Sequence, residues 1–434
     1  MSSEAAQPFS IASYWRILRI NRDFRLLWLS QVVSEVGDWL YAVTVYALLL
    51  DLTGRAESVG FAVVLQLLPQ VFVSPAAGVL NDRLPRKAVM IFADVARIFI
   101  VLAMLLVDSP SMVWLVYVVL VLETMMWALF EPGRSAIIPT LVPEREDQLV
   151  ANALSSVTWA VNLAFGAGLG GAVALHFGRD AVFLINAATF IVSAVLLMGI
   201  RARERHAESH PPFRFADLVD FKPVIEGLDY VRQDSRRLAT MLVKAGMGLL
   251  GAHWVILPIY GDRVFRVADS ATAGMSVLFM ARGIGALIGS FSTGFWARND
   301  ERRMRKGIFW AFLIAGASYA LLSGAPTLPV AALAVMAGHA GTSQAWVFST
   351  TMLQRTTEDR FRGRVFSADF AGLFLVMAAV SYAASHLIDG GVHVRHIALA
   401  TGAISLVPAL LWWRAQRLWS DGQSLPPAAA APGD

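Results

Sequence analysis

Several side chains that carry or accept charge lie inside long apolar runs of this chain: Glu35, Asp38, Asp94, Arg97, Glu123, Lys244, His253 and Arg282. A charge at the centre of a bilayer costs about 2.5–3.5 kcal/mol on insertion scales, so such groups face protein or water and mark function. Asp38 lies about 12 residues into its run, near the middle at roughly 1.5 Å per residue. Glu35 precedes it by one helical turn on the same face. Two carboxylates this close in a low dielectric repel, and taking up a proton is the cheapest relief, which makes the pair a candidate proton carrier. Glu123 sits in the middle of the fourth run and is a third cavity candidate. Asp94 and Arg97, three residues apart, are expected to pair along their own helix as an intramembrane ion pair. Arg282 is deep in its run and suits either a carboxylate partner or an anionic group on a substrate, whereas His253 is expected to be a hydrogen-bonded helix residue.

The elements that must position these groups are helices. Twelve apolar stretches reach the roughly 20 residues needed to span hydrocarbon: 26–50, 58–80, 88–107, 111–131, 150–175, 180–200, 238–260, 270–297, 307–324, 328–352, 366–388 and 396–413. They lack the dyad alternation of barrel strands, and only helices or closed barrels satisfy every backbone group in lipid. With 56% hydrophobic and 16% charged residues, a soluble domain is excluded. Placing both termini in the cytoplasm puts about 28 of the 36 Lys and Arg residues on that side. The expected organisation is a cytoplasmic segment 1–25, a six-helix half 26–200, a cytoplasmic loop 201–237, a second six-helix half 238–413 and a tail 414–434. Residues 11–25 form no cleavable signal and read as a short amphipathic helix on the inner leaflet, while the Pro- and Ala-rich tail reads as disordered. The positive balance belongs to loops facing anionic lipid, so nucleic acid is a poor partner, and a chain with no cysteine has no thiolate chemistry.

Between the second and third runs the chain reads Gly78-Val-Leu-Asn-Asp82-Arg83-Leu-Pro-Arg86-Lys87. Gly78 allows two helices to approach closely, and Asp82 can meet a helix N-terminus and a basic partner. This segment resembles the signature of the major facilitator superfamily, with Pro85 where the family usually has a second glycine. The resemblance implies an all-α membrane fold of twelve transmembrane helices in two pseudo-symmetric halves, with Gly78, Asp82, Arg83, Arg86 and Lys87 as a conformational latch. Phe24-Arg25-Leu-Leu-Trp28-Leu-Ser30-Gln31 with Ser34-Glu35-Val-Gly37-Asp38-Trp39, and Phe130-Glu131-Pro132-Gly133-Arg134, are similar to the enterobactin-exporter and macrolide-efflux branch. So is Arg362-Gly363-Arg364-Val365-Phe366-Ser367. Gly166-Ala-Gly168-Leu-Gly170-Gly171 partly resembles the antiporter motif, Ala167 replacing its proline, and Gly285 with Gly289 reads as a packing pair.

The chain has no phosphate-binding Gly-Lys-Ser/Thr loop and no metal-ligand spacing of an intramembrane protease, so an ion gradient is the expected driving force and no cofactor is expected. The reading is a monomeric secondary transporter of the inner membrane, not an enzyme. It exports a drug-like compound or siderophore against inward-moving protons. An uptake symporter or lipid facilitator of the same fold, and a non-transporting membrane sensor or scaffold, are the alternatives. Trp39, Tyr117, Trp127 and Trp346 are candidate cavity linings.

Overall fold

A computed structural model of the chain describes residues 11–202, 204, 222–267, 270–297 and 300–419. Among them the secondary structure is helical apart from one isolated bridge between Val267 and Ser270. Among the described residues, ten helical stretches are long and apolar enough to cross a membrane. One of these, Val150–Met198, holds two expected spans, because Gly178 interrupts it with φ 80°, a conformation that glycine alone adopts without strain. The helix Leu328–Thr356 occupies the tenth expected span outside those ten, its apolar character diluted by His339, Thr342, Ser343, Gln344 and Ser349. The chain is an all-α, multi-pass membrane protein.

Contacts divide the chain into two compact units: Met1–Thr44 with Phe72–Val219, and Val45–Val71 with Asp220–Asp434. The boundary therefore runs through two helices rather than only through the central loop. The first unit contains α1 (Ile11–Ile20), most of α2 (Arg22–Thr53), the end of α3 (Ala56–Arg83), α4 (Arg86–Leu102), α5 (Val113–Leu141) and α6 (Arg145–Met198). Helix α1 buries Ile17 and Leu18 in a core shared with Phe24, Leu27, Ile137 and Leu154, while Arg16 pairs with Asp147 on α6. Helices α2 and α6 approach closely where Gly166 and Gly170 face Val36 and Leu40; a Cβ on either glycine would come within 2.8 Å of those backbone carbonyls.

The second unit takes the remainder of α2 and the start of α3 together with α7 (Lys222–Arg232), α8 (Ser235–Gly248), α9 (His253–Ile259), α10 (Ala271–Ala297), α11 (Glu301–Gly324), α12 (Leu328–Thr356), α13 (Asp359–Asp389), α14 (Val394–Ile404) and α15 (Leu406–Ala415). Asp234 and Asp300 cap α8 and α11 by accepting from Arg236 N at 2.8 Å and Arg302 N at 2.7 Å. Gly285 and Gly289 lie against the backbone of α12 at Met336 and Ala340, the packing expected of that pair. The start of α3 is held by α13: both carboxylate oxygens of Asp389 accept from Ala56 N and Glu57 N at 2.8 Å, and Tyr382 Oη donates to Glu57 at 2.7 Å. That clasp explains why 45–71 groups with later helices. Part of the expected central loop is also structured, because α7 docks Tyr230 and Val231 against Leu353 and Val365.

Candidate functional site

The first unit positions its ionisable residues on three helices that share an interior. Helix α4 buries Val89, Met90, Ala93, Asp94, Arg97 and Val101 along one face and packs on α5 and α6. Arg97 is therefore carried inward, 1% exposed, with its guanidinium 4.0 Å from the Phe190 ring centroid on α6. Its Nη2 donates to Asp38 Oδ1 on α2 at 2.6 Å, and its Nε donates to Glu123 Oε1 on α5 at 3.0 Å, with Nη2 reaching the same oxygen. Asp38 and Glu123, expected to face a cavity, thus meet at one arginine.

This corrects the expected pairing of Asp94 with Arg97. Asp94 accepts instead from Ser193 Oγ on α6 at 2.6 Å, and its other oxygen has no hydrogen-bond partner. The spacing along α4 is right, but the guanidinium extends toward neighbouring helices, where two carboxylates supply better acceptors. With all three carboxylates ionised, one arginine leaves two negative charges uncompensated in a buried place.

Glu35 belongs to an adjoining network of neutral donors. Its oxygens accept from Gln31 Nε2 at 2.8 Å and Asn162 Nδ2 at 3.0 Å. Arg134 donates to Gln31 Oε1 at 3.2 Å and forms its ion pair with Glu131 on its own helix. Glu35 and Asp38 share a face of α2 as expected, yet each has its own set of partners.

At the α3–α4 junction, the surroundings of Gly78 and the side chain of Asp82 lie outside what is described. Arg86 donates to Ala136 O at the end of α5 at 2.7 Å and to Asn81 O at 3.3 Å. Lys87 Nζ donates to Met198 O at 2.9 Å and Ile200 O at 2.6 Å, where α6 ends. Both cations therefore sit on the negative ends of helices. Arg83 is partly exposed. An acid that sequence reading missed completes the junction: Glu204 accepts from Arg86 N at 2.8 Å and Lys87 N at 2.9 Å, capping the positive end of α4. It follows α6 in a polar stretch where no spacing distinguishes it from its neighbours.

In the second unit the Arg282 guanidinium lies 4.1 Å from the Trp254 ring centroid. Lys244 pairs with Asp369 of α13 at 2.5 Å, with the rings of Trp346, Phe366 and Phe370 4.7, 5.1 and 4.7 Å from Nζ. Asp369, buried at 2% exposure, is another ionisable residue missed in the sequence. It is the fourth residue of the eleventh apolar run, and a carboxylate inside such a run was the available signal. No group of three or more metal-ligating residues occurs among the described residues.

The sequence profile of the Major Facilitator Superfamily matches residues 27–325, so the chain belongs to that family of membrane transporters. It is 24% identical over 390 residues to BacE of Bacillus subtilis, a candidate bacilysin exporter, covering 89% of this chain and 94% of that one. Macrolide efflux protein A of Streptococcus pyogenes is 24% identical over 398 residues, again covering 89% and 94%. The transporter YfiS of Bacillus subtilis is 28% identical over 219 residues, and there the chain spans about half of its relative, 51%, and 50% of itself. A solved bacterial homologue of the human lysosomal transporter Spinster superposes with a TM-score of 0.70 at 13% identity, covering 96% of this chain and 100% of that one.

Proposed function

We propose that this transporter exports a small drug-like organic molecule or siderophore from the cytoplasm by alternating access, driven by protons moving inward. It would reside in the inner membrane with both termini and residues 201–237 in the cytoplasm. The observation that carries the reading is the arginine shared by two carboxylates from different helices, Asp38 on α2 and Glu123 on α5. One guanidinium neutralises one of these two, so a single proton is the natural second countercharge for the pair, Asp94 being held apart by Ser193. Protonating Asp38 frees Arg97 to pair with Glu123 alone, which alters what holds α2 to α4 without emptying the core. A gradient can drive the cycle only through such differential stabilisation of two states. The exporters among the relatives support the outward direction.

The test is substrate-dependent proton flux in proteoliposomes, screened with dyes, antibiotics and siderophores. Asp38→Asn is expected to abolish uphill export while counterflow and substrate affinity persist within about threefold, since the amide keeps the shape but releases no proton. Wild-type proton-coupled export by this variant would remove Asp38 from the mechanism. Loss of affinity together with flux would make it a substrate ligand instead.

A further inference from the structure

Inside the second unit, nitrogen bases from three helices gather around Trp254: Arg282 on α10 lies 4.1 Å and His253 of α9 5.4 Å from its ring centroid, and His339 on α12 packs against His253. The two imidazoles stand edge to face with centroids 5.0 Å apart, and they are 6% and 9% exposed for His253 and His339 respectively. His253 Nδ1 lies 3.0 Å from Leu250 O, and since a carbonyl can only accept, that nitrogen carries the proton. Nε2 of the neutral ring is then an acceptor, and it has no hydrogen-bond partner; nor does Nε2 of His339. Aromatic rings pack around the cluster: Trp254 stacks on Arg282, and the fully buried Phe279 lies 6.2 Å from Trp254.

We propose that Arg282, His253 and His339 bind the acid end of the transported molecule, a carboxylate with an N–H or O–H donor beside it, as in an N-acylated amino acid. This assigns a substrate class and rests on the transporter reading above. The planar guanidinium matches a carboxylate in a bidentate fork, and the cluster's positive charge rejects cations. His339, in its Nε2–H tautomer, supplies a further donor to the carboxylate. The bare Nε2 of His253 asks for a donor in return, and the adjacent N–H supplies it. Trp254, the half-buried ring beside Arg282, receives the apolar body, as aromatic side chains do in sites for amphipathic ligands. One ligand of this kind satisfies both open imidazole nitrogens at once.

The experiment is equilibrium binding to the full chain in detergent, read by dansyl fluorescence, so it needs neither gradient nor flux. Three probes differ by one group each: dansylglycine, its methyl ester, which lacks the carboxylate, and dansylsarcosine, which lacks the N–H. Wild type is expected to bind dansylglycine at least about tenfold more tightly than the ester. Arg282→Gln should bring the acid down to the ester's affinity and leave the ester unchanged, while Arg282→Lys keeps part of the preference. His253→Phe should erase the preference for dansylglycine over dansylsarcosine. Equal wild-type affinities for acid and ester, or no saturable dansylglycine binding, would overturn the proposal whatever the variants' folding. So would an undiminished acid preference in Arg282→Gln. Selective acid binding without any proton flux would keep the site and sink the coupling mechanism; proton-coupled export without acid selectivity would do the reverse.

Discussion

Arg97 serves two carboxylates, and that shared ownership sets what its removal does. Taking away one partner of a buried ion pair costs about 3–5 kcal/mol, because the charge left behind is uncompensated. Arg97→Ala leaves Asp38 and Glu123 facing the same vacancy, so membrane abundance and thermal stability in detergent should both fall. Combining Arg97→Met with Asp38→Asn and Glu123→Gln removes every charge of the trio; abundance should recover while proton-coupled transport does not. Normal abundance of the alanine variant would show that the trio carries no structural weight. The depth of Asp38, Glu123 and Arg97 in their apolar runs made them visible as a set. Which of them touch was not visible, since a long guanidinium can reach along its own helix or across to another.

At the scale of elements, the junction between α3 and α4 separates two kinds of charge. Arg86, Lys87 and Glu204 sit on helix ends within one unit and act as caps. Glu204→Gln should therefore lower stability by about 0.5–2 kcal/mol, the range of a lost cap, with transport per folded molecule unchanged. Asp82 is proposed as the moving part of the latch. Asp82→Asn should cut transport severely at normal abundance, because it removes an anchor of one conformational state and no core packing. Comparing transport rate with membrane abundance for both variants decides the matter, and full activity of Asp82→Asn would leave the latch vestigial. The small-residue spacing of Gly285 and Gly289 pointed directly to close helix contact, since a missing Cβ is a local property. The Asp389 clasp on α3 was hidden, because its partners are backbone N–H groups more than three hundred positions away.

For the whole molecule, orientation follows from where cations are and requires no knowledge of packing. The native chain has no cysteine, so a single introduced thiol is a clean reporter. Glu208→Cys, in the central loop, should resist an impermeant maleimide applied to intact cells and react after the membrane is opened. Labelling from outside would invert the topology. Apolar length, loop charge and the Gly78–Lys87 motif determined on their own that this is a helical, multi-pass member of a transporter family, because those properties are set by the bilayer and by local spacing. The tertiary structure alone decided that Arg97 joins Asp38 to Glu123 and leaves Asp94 to Ser193, that Asp369 answers Lys244, and that two imidazoles gather beside Arg282. Each of those is a contact between different helices, and it depends on helix rotation and side-chain reach, which hydrophobic periodicity leaves open.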